Sequence, residues 1–314
     1  MLSFIIRRLL VILPMVLLVI TIAWALIRLA PGDFYATERG LPPAVEKNIR
    51  LKYGLDDPWY VQYGKLMRQL AVLDFGFSRK YQEQTVNEIL RRTLPVSITI
   101  GLTAYLIALV LGLTFGTIAA LRQNSALDYS SMAAAMLGIS MPNFVLGPIL
   151  VLVFALTLHW LPPGRWEWVE VGGIYLPNIK YLIMPAITLS AVYMAYIARL
   201  TRSGMLEVLR KDYIRTARAK GLSERQVILR HALRGGILPV VSYTGPALAF
   251  LVAGTVVVER VFALPGLGNY FINAALNRDA PLLLGITAFI AIVVLVFNLL
   301  VDIAYAYIDP RIRY

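Results

Sequence analysis

Apolar residues crowd the chain into six long runs: Leu9 to Leu29, Val96 to Leu121, Met132 to Leu158, Tyr181 to Leu200, Gly236 to Val258 and Leu282 to Tyr307. Each can cross the ~30 Å of a bilayer's hydrocarbon, which takes about 20 helical residues. Lipid offers backbone N–H and C=O groups no partners, so each run is expected to be a helix, and no period-two alternation points to a barrel. The pattern predicts an all-α polytopic membrane protein with six transmembrane helices. The first run follows Arg7 and Arg8. It exceeds the ~7 to 15 apolar residues of a signal peptide and reads as an uncleaved first span.

Some residues inside these runs depart from plain hydrophobicity. Gly112 and Gly116 form a small-xxx-small pair that suits close helix packing. Pro142 and Pro185 interrupt otherwise helical patterns. In "ISMPNF", Pro142 and Asn143 break an apolar run in mid-membrane, where freed backbone is tolerated only beside protein or water; the pair either lines a pathway or serves packing. Asn298 and Asp302, one helical turn apart near the inner end of the last run, carry the same two readings.

Between the first two runs, residues 30–95 are polar, nearly balanced in charge and patterned for helices. In "DDPWYVQYGKLMRQL", Asp57 is expected to cap a helix with Pro58 at its first position, running amphipathically through Leu66 and Leu70. Thr85 and Glu88 are spaced as a capping box before Ile89 and Leu90. This gives a small helical segment on the outer face. The organisation that follows is a first span at 1–29, the outer segment at 30–95, a five-helix core at 96–308 containing a basic segment at 201–235, and a tail at 309–314.

Charge orients this arrangement. The chain carries +12 overall. Arg199 to Arg234 holds eight Arg and two Lys against Glu207, Asp212 and Glu224, a net of +7, while His159 to Lys180 and Glu259 to Asp279 each sum to zero. By the positive-inside rule the basic segment is cytoplasmic, and six spans place both termini on that side. Glu259 and Arg260 then read as an interfacial pair on the outer face. The absence of Cys removes disulfides, thiolate metal sites and a cysteine nucleophile. His159 and His231 lie far apart without a ligand cluster, so no metal site is expected. No catalytic triad or paired-carboxylate cleft emerges, so the chain is not read as an enzyme. No G-x-x-x-x-G-K-[ST] occurs, so it does not cradle ATP by a Walker loop.

The basic segment itself, "DYIRTARAKGLSERQVILRHALRGGILP" from Asp212 to Pro239, reads as two helices and a tight turn. Arg218 and Lys220 occupy the last turn of the first helix, with Gly221 beyond it as a left-handed C′ residue. Ser223 and Gln226 form a capping box for the second, and Leu222 staples onto Val227. Ala217, Ala219 and Gly221 leave the bend nearly bare, open to another protein's surface. A DNA reader would need a helix free to enter a major groove. Here one span ends at Leu200 and the next begins at Gly236, so no nucleic-acid partner is expected; membrane lipid headgroups meet most of the cations.

At these residues the sequence resembles the permeases of bacterial ATP-driven (ABC) importers, whose cytoplasmic loop carries Glu-Ala-Ala, three residues and Gly. With Gly221 at that Gly, Arg215, Thr216 and Ala217 fall on the Glu-Ala-Ala positions and only the second Ala is kept. The family's closing Leu-Pro falls on Leu233 and Arg234, with the Pro replaced. "DYIRTARAKGL" is similar to the form of the peptide and nickel branch, as are "RLTRSGMLEVL", "GISMPNF", "VVVERVFALPGLG" and "NLLVDIAYAYIDPRIRY". "ERGLPPAVEKNIRLKYGLDDPWYVQY", "DFGFSRKY" and "ALNRD" look most like the B-type subunit of oligopeptide permeases.

The resemblance implies a type I ABC importer permease fold in the bacterial inner membrane, with residues 30–95 periplasmic. It implies a homologous second permease, two ATP-binding subunits that hold ATP and Mg, and a periplasmic or lipid-anchored peptide-binding protein. This chain itself would carry no cofactor. Arg215, Thr216, Ala217, Arg218, Ala219, Lys220 and Gly221 would form the coupling segment that meets an ATP-binding subunit. Oligopeptides are the implied cargo, with dipeptides, murein peptides, glutathione or a nickel chelate as alternatives within the class. A secondary transporter or channel is the alternative outside it, weakened by the scarcity of ionisable groups in the six runs.

Overall fold

The computed structural model describes residues 2–29, 54, 56–81, 83–252 and 256–308. The outer stretch 30–53 and the tail 309–314 lie outside the described residues. Among the described residues, four helices are long and apolar enough to cross a membrane: α1 (Leu2–Leu29, apolar from Leu10), α3 (Val86–Leu121), α6 (Ile179–Leu209) and α13 (Ala280–Ile308). The third run is not one straight helix. It divides into α4 (Ala126–Ser140) and α5 (Asn143–Leu150), the latter continuing as a π-helical stretch over Val151–Thr157, and the two parts meet at 100°. Pro142 is the cause, because it lacks an N–H and holds the preceding residue out of the α region. Met141 is accordingly extended, at φ −118° and ψ 120°. Pro185, by contrast, sits inside α6 without ending it. The fifth run supplies α10 (Leu238–Val252), followed by the short α11 (Val256–Val261).

α3 joins what the sequence pattern divides. It starts at a capping box, in which the Glu88 N–H donates to Thr85 Oγ1 at 3.2 Å and the Thr85 N–H donates to Glu88 Oε2 at 2.8 Å. It then runs through Pro95 for 36 residues, about 54 Å at 1.5 Å per residue. The boundary expected at 95/96 therefore falls inside one helix. α3 packs along α6, and Gly112 and Gly116 make that possible: a Cβ at Gly112 would lie 2.7 Å from Ile197 Cβ, and one at Gly116 2.5 Å from the Ala198 carbonyl oxygen. Ile100, Ala104 and Ala108 of α3, Leu189 and Ile197 of α6, and Ala247 and Leu251 of α10 close the main core.

α2 (Trp59–Ala71) lies against the end of α1. Its cap differs from the expected one. Pro58 is the N-cap, and Asp57 instead pairs with Lys65 Nζ at 2.5 Å, while its carbonyl accepts from Gln62. Tyr63 meets Trp24 edge-on at 5.3 Å and shares a 2.7 Å hydrogen bond with Thr21, and Leu66 packs onto Ile27, Ala280 and Leu284. Among the described residues, a short hairpin departs from the all-α reading. β1 (Trp168–Val171) and β2 (Ile174–Pro177) form an exposed antiparallel hairpin, turned by Gly172 and Gly173 at φ +61° and +83°. Two consecutive residues at positive φ make the tight turn that glycine pairs favour between strands.

Candidate functional site

The basic segment folds into α7 (Asp212–Ala219), a glycine turn, and α8 (Glu224–Gln226), which continues as a π-helical stretch Val227–Ala232 and a last turn α9 (Leu233–Gly236). The Lys220 N–H donates to the Thr216 carbonyl at 3.0 Å and the Gly221 N–H to the Arg218 carbonyl at 2.9 Å, closing α7 with Gly221 at φ +77°. Apart from its chain neighbours, no heavy atom of the described residues lies within 4 Å of a Cβ built on Gly221. The turn faces open space and glycine is required there only by the backbone.

Side chains pin the turn on both sides. Arg218 reaches over it to Glu224, with Nε at 2.8 Å and Nη2 at 3.4 Å from the two carboxylate oxygens. Gln226 Oε1 accepts from the Ser223 N–H at 3.2 Å and from its hydroxyl at 3.1 Å. Leu222 joins Val227 in one apolar cluster, as a staple requires.

That cluster decides which face α7 presents. Ile214 and Ala217 are buried against Met205 and Val208 of α6, Ala120 of α3, and Val227 and Ala232. Of the seven residues expected to couple, Arg215, Thr216, Arg218, Ala219, Lys220 and Gly221 are exposed, whereas Ala217 points inward. The second Ala of the degenerate signature is thus a core residue, not part of a bare bend. α7 is a short helix with an apolar back seated on the extension of α6 and a polar front without cover.

Just above this platform, Arg202 of α6 grips Asp128 at the start of α4, with Nε to Oδ1 at 2.8 Å and Nη2 to Oδ2 at 2.7 Å. Asp128 is 2% exposed and also accepts from the Asn124 N–H. Sequence reasoning missed this pair. Its only local signal is Ser125, which caps α4 by accepting from the Asp128 N–H.

The other singled-out residues fall in separate places. Asn298 and Asp302 line a cavity of about 370 Å³ between α1, α10 and α13, with Ser242, Pro246, Val11 and Met15 around it. Pro142 and Asn143 are not among its walls; they form the α4–α5 break, and the Asn143 Oδ1 is buried there without a hydrogen-bond partner among the described residues. Glu259 and Arg260 are not an interfacial pair. Glu259 is fully buried and accepts from Ser97 Oγ at 2.9 Å and from the Asn269 N–H at 3.1 Å, while Arg260 donates outward to Asn269 Oδ1 at 3.3 Å. Burial pushes the Glu259 carboxyl up, opposed by those hydrogen bonds. Its carboxylate occupies the space that a Cβ on Gly266 would need, at the start of α12 (Leu267–Leu276).

A further buried acid ties the outer segment down. Asp279 Oδ2 accepts from Ser78 Oγ at 2.5 Å and from the N–H groups of Arg79 and Lys80 at 3.0 and 3.1 Å, while Oδ1 accepts from the Leu282 N–H at 3.2 Å. An Asp followed closely by Pro281 before a long apolar run is an N-cap signal, so this role was legible in part.

Two family descriptions match the chain. Residues 112–314 match the binding-protein-dependent transport system inner membrane component, and residues 1–103 match the N-terminal part of that membrane component. The oligopeptide transport system permease protein OppB of Haemophilus influenzae is 48% identical over 314 residues, covering the whole of both chains. The dipeptide transport system permease protein DppB of Bacillus subtilis is 42% identical over 298 residues, 95% of this chain and 94% of that one. Among solved structures, the MetNI methionine ABC transporter in an inward-facing conformation superposes with a TM-score of 0.57 at 17% identity, covering 70% of this chain and 96% of the matched chain. At that identity the likeness is one of fold.

Proposed function

The chain belongs to the family of inner-membrane components of binding-protein-dependent transport systems, and from that premise we propose that it is one permease of an ATP-driven oligopeptide importer. It forms half of the passage with a homologous second permease, receives cargo from a peptide-binding protein outside, and takes its motion from ATP-binding subunits in the cytoplasm. Full-length identity of 48% to a protein named for oligopeptide transport supports the cargo. The 42% identity to a dipeptide permease supports a second reading within the same class, dipeptides.

The observation that carries the coupling role is the two-sided build of α7. Its exposed front, Arg215 to Gly221 apart from Ala217, is free to enter a groove on an ATP-binding subunit. Its back, Ile214 and Ala217, is packed on Met205 and Val208 at the end of α6 and on Val227 of the π-helical stretch beyond α8. A push on α7 therefore moves α6 on one side and α8 to α10 on the other as packed bodies, which is how closure of the ATP-binding subunits would tip the flanking spans. Arg202 and Asp128 carry the same motion to α4.

The test is uptake of labelled tetra-alanine and di-alanine by cells lacking this chain and by cells with it restored, together with capture of ATP-binding subunits on the tagged chain. Restored tetrapeptide uptake with ATP-binding subunits retained is the expected result. Uptake of dipeptide alone would favour the second reading, and peptide uptake without any ATP-binding partner would refute both.

A further inference from the structure

We infer that Tyr193, Tyr196 and Tyr243 form one wall of the passage and take the main chain of the transported peptide, an assignment that rests on the oligopeptide reading above. The three rings gather on the seam between α6 and α10. Tyr243 lies between the other two, 6.4 Å from the Tyr193 ring and 5.8 Å from the Tyr196 ring, tilted by 40° and 37°. Beside it, Thr244 donates its hydroxyl proton to the Val240 carbonyl at 2.9 Å, so Tyr105 must be the donor in its 2.5 Å contact with Thr244. That fourth tyrosine is buried and satisfied.

The rings of Tyr193 and Tyr243 are half-buried against the main core and that of Tyr196 is exposed, but the three hydroxyls are neither enclosed nor satisfied. None has a hydrogen-bond partner among the described residues, and the buried side-chain atoms left without one there are Asn143 Oδ1 and Trp166 Nε1, not phenol oxygens. Tyr196 is 43% exposed. Hydrocarbon cannot satisfy a hydroxyl, so three open phenols on one seam of two apolar helices call for water or a polar cargo. A headgroup-level aromatic belt does not account for them as a set. Tyr243 lies nine residues beyond Arg234, roughly 13 Å along the helical path.

The chemistry fits a peptide main chain. Each phenol can donate to a carbonyl or accept from an N–H, and each ring offers a flat face to whatever side chain passes. The wall holds no carboxylate, ammonium or guanidinium group, so it demands no particular charge on the cargo. Several weak contacts in series allow entry without trapping, as passage requires.

The chain contains no cysteine, so single replacements report cleanly. In the assembled transporter, Tyr196→Cys and Tyr243→Cys are expected to react with a membrane-impermeant thiol reagent about fivefold faster than Leu106→Cys, an exposed apolar position of α3. Saturating tetra-alanine should slow that reaction. The triple change of Tyr193, Tyr196 and Tyr243 to Phe, which keeps the rings, should lower tetra-alanine uptake about fivefold with retention of ATP-binding subunits unchanged. Labelling at the Leu106→Cys rate, or wild-type uptake by the triple Phe variant, would overturn the wall. If the wild-type transporter imports no peptide while the cysteines still label fast, the peptide assignment falls instead; that outcome is distinct from control-rate labelling in a transporter that does import peptide.

Discussion

At the scale of single residues, substitution of Gly221 tests the proposed coupling role apart from folding. Its φ of +77° disfavours any L side chain, yet the space around it is empty. Gly221→Val is expected to cost on the order of 1 to 2 kcal/mol locally, with the chain still inserted in the membrane and with ATP-binding subunits lost on purification. Gly221→Ala should be milder in both readouts. Arg218→Lys should be milder still, since the Arg218–Glu224 pair is exposed and such pairs contribute about 0 to 1 kcal/mol. Gly221, Thr85 with Glu88, and the Ser223–Gln226 pair were legible in the sequence because each is satisfied within a few residues of itself. Glu259 was read wrongly and Asp128 passed over because their partners, Ser97 and Arg202, stand 162 and 74 positions away. A carboxylate's burial depends on such distant donors and leaves little local mark.

At the scale of elements, one anchor of the outer segment is a single buried carboxylate. Asp279 gathers donors from Ser78, Arg79, Lys80 and Leu282. Asp279→Ala removes the acceptor from all four, with an expected cost of about 1 to 3 kcal/mol. Limited proteolysis should then cut between α2 and α3 in the variant under conditions that leave the wild type intact; equal resistance would mean that the apolar packing of Phe75 and Tyr81 onto the Val86–Leu282 cluster suffices. Pro142 announced the break between α4 and α5 because proline acts on its immediate neighbour. The 100° angle did not follow from it, since the turn is fixed by what α5 packs against, Val261 and Phe262 over Gly147. The hairpin at Gly172–Gly173 carries a sequence signal, a glycine pair between short β-rich runs, but its four-residue strands are far shorter than the apolar runs that dominate the pattern.

At the scale of the whole molecule, the positive-inside asymmetry makes a topology that can be tested directly. Reporter fusions at Arg210 and at the carboxyl terminus should report cytoplasm, and fusions near Lys65, Gly173 and Asn269 the outside; an outside report at Arg210 would place α7 where no ATP-binding subunit could reach it. The apolar runs that form α1, α3, α6 and α13 were legible because lipid forces helices on any chain that crosses it. Whether a run stays straight was not, because Pro185 is absorbed within α6 while Pro142 divides its run. The proposed coupling requires that this chain move peptide only when ATP-binding partners drive α7. It is tested most directly in proteoliposomes holding the chain with its second permease, ATP-binding subunits and peptide-binding protein, by measuring tetra-alanine uptake with and without ATP for the wild type and for Gly221→Val. Uptake that requires ATP and is lost in Gly221→Val at equal permease content is the expected result, whereas uptake driven by an ion gradient in liposomes holding this chain alone would contradict the account.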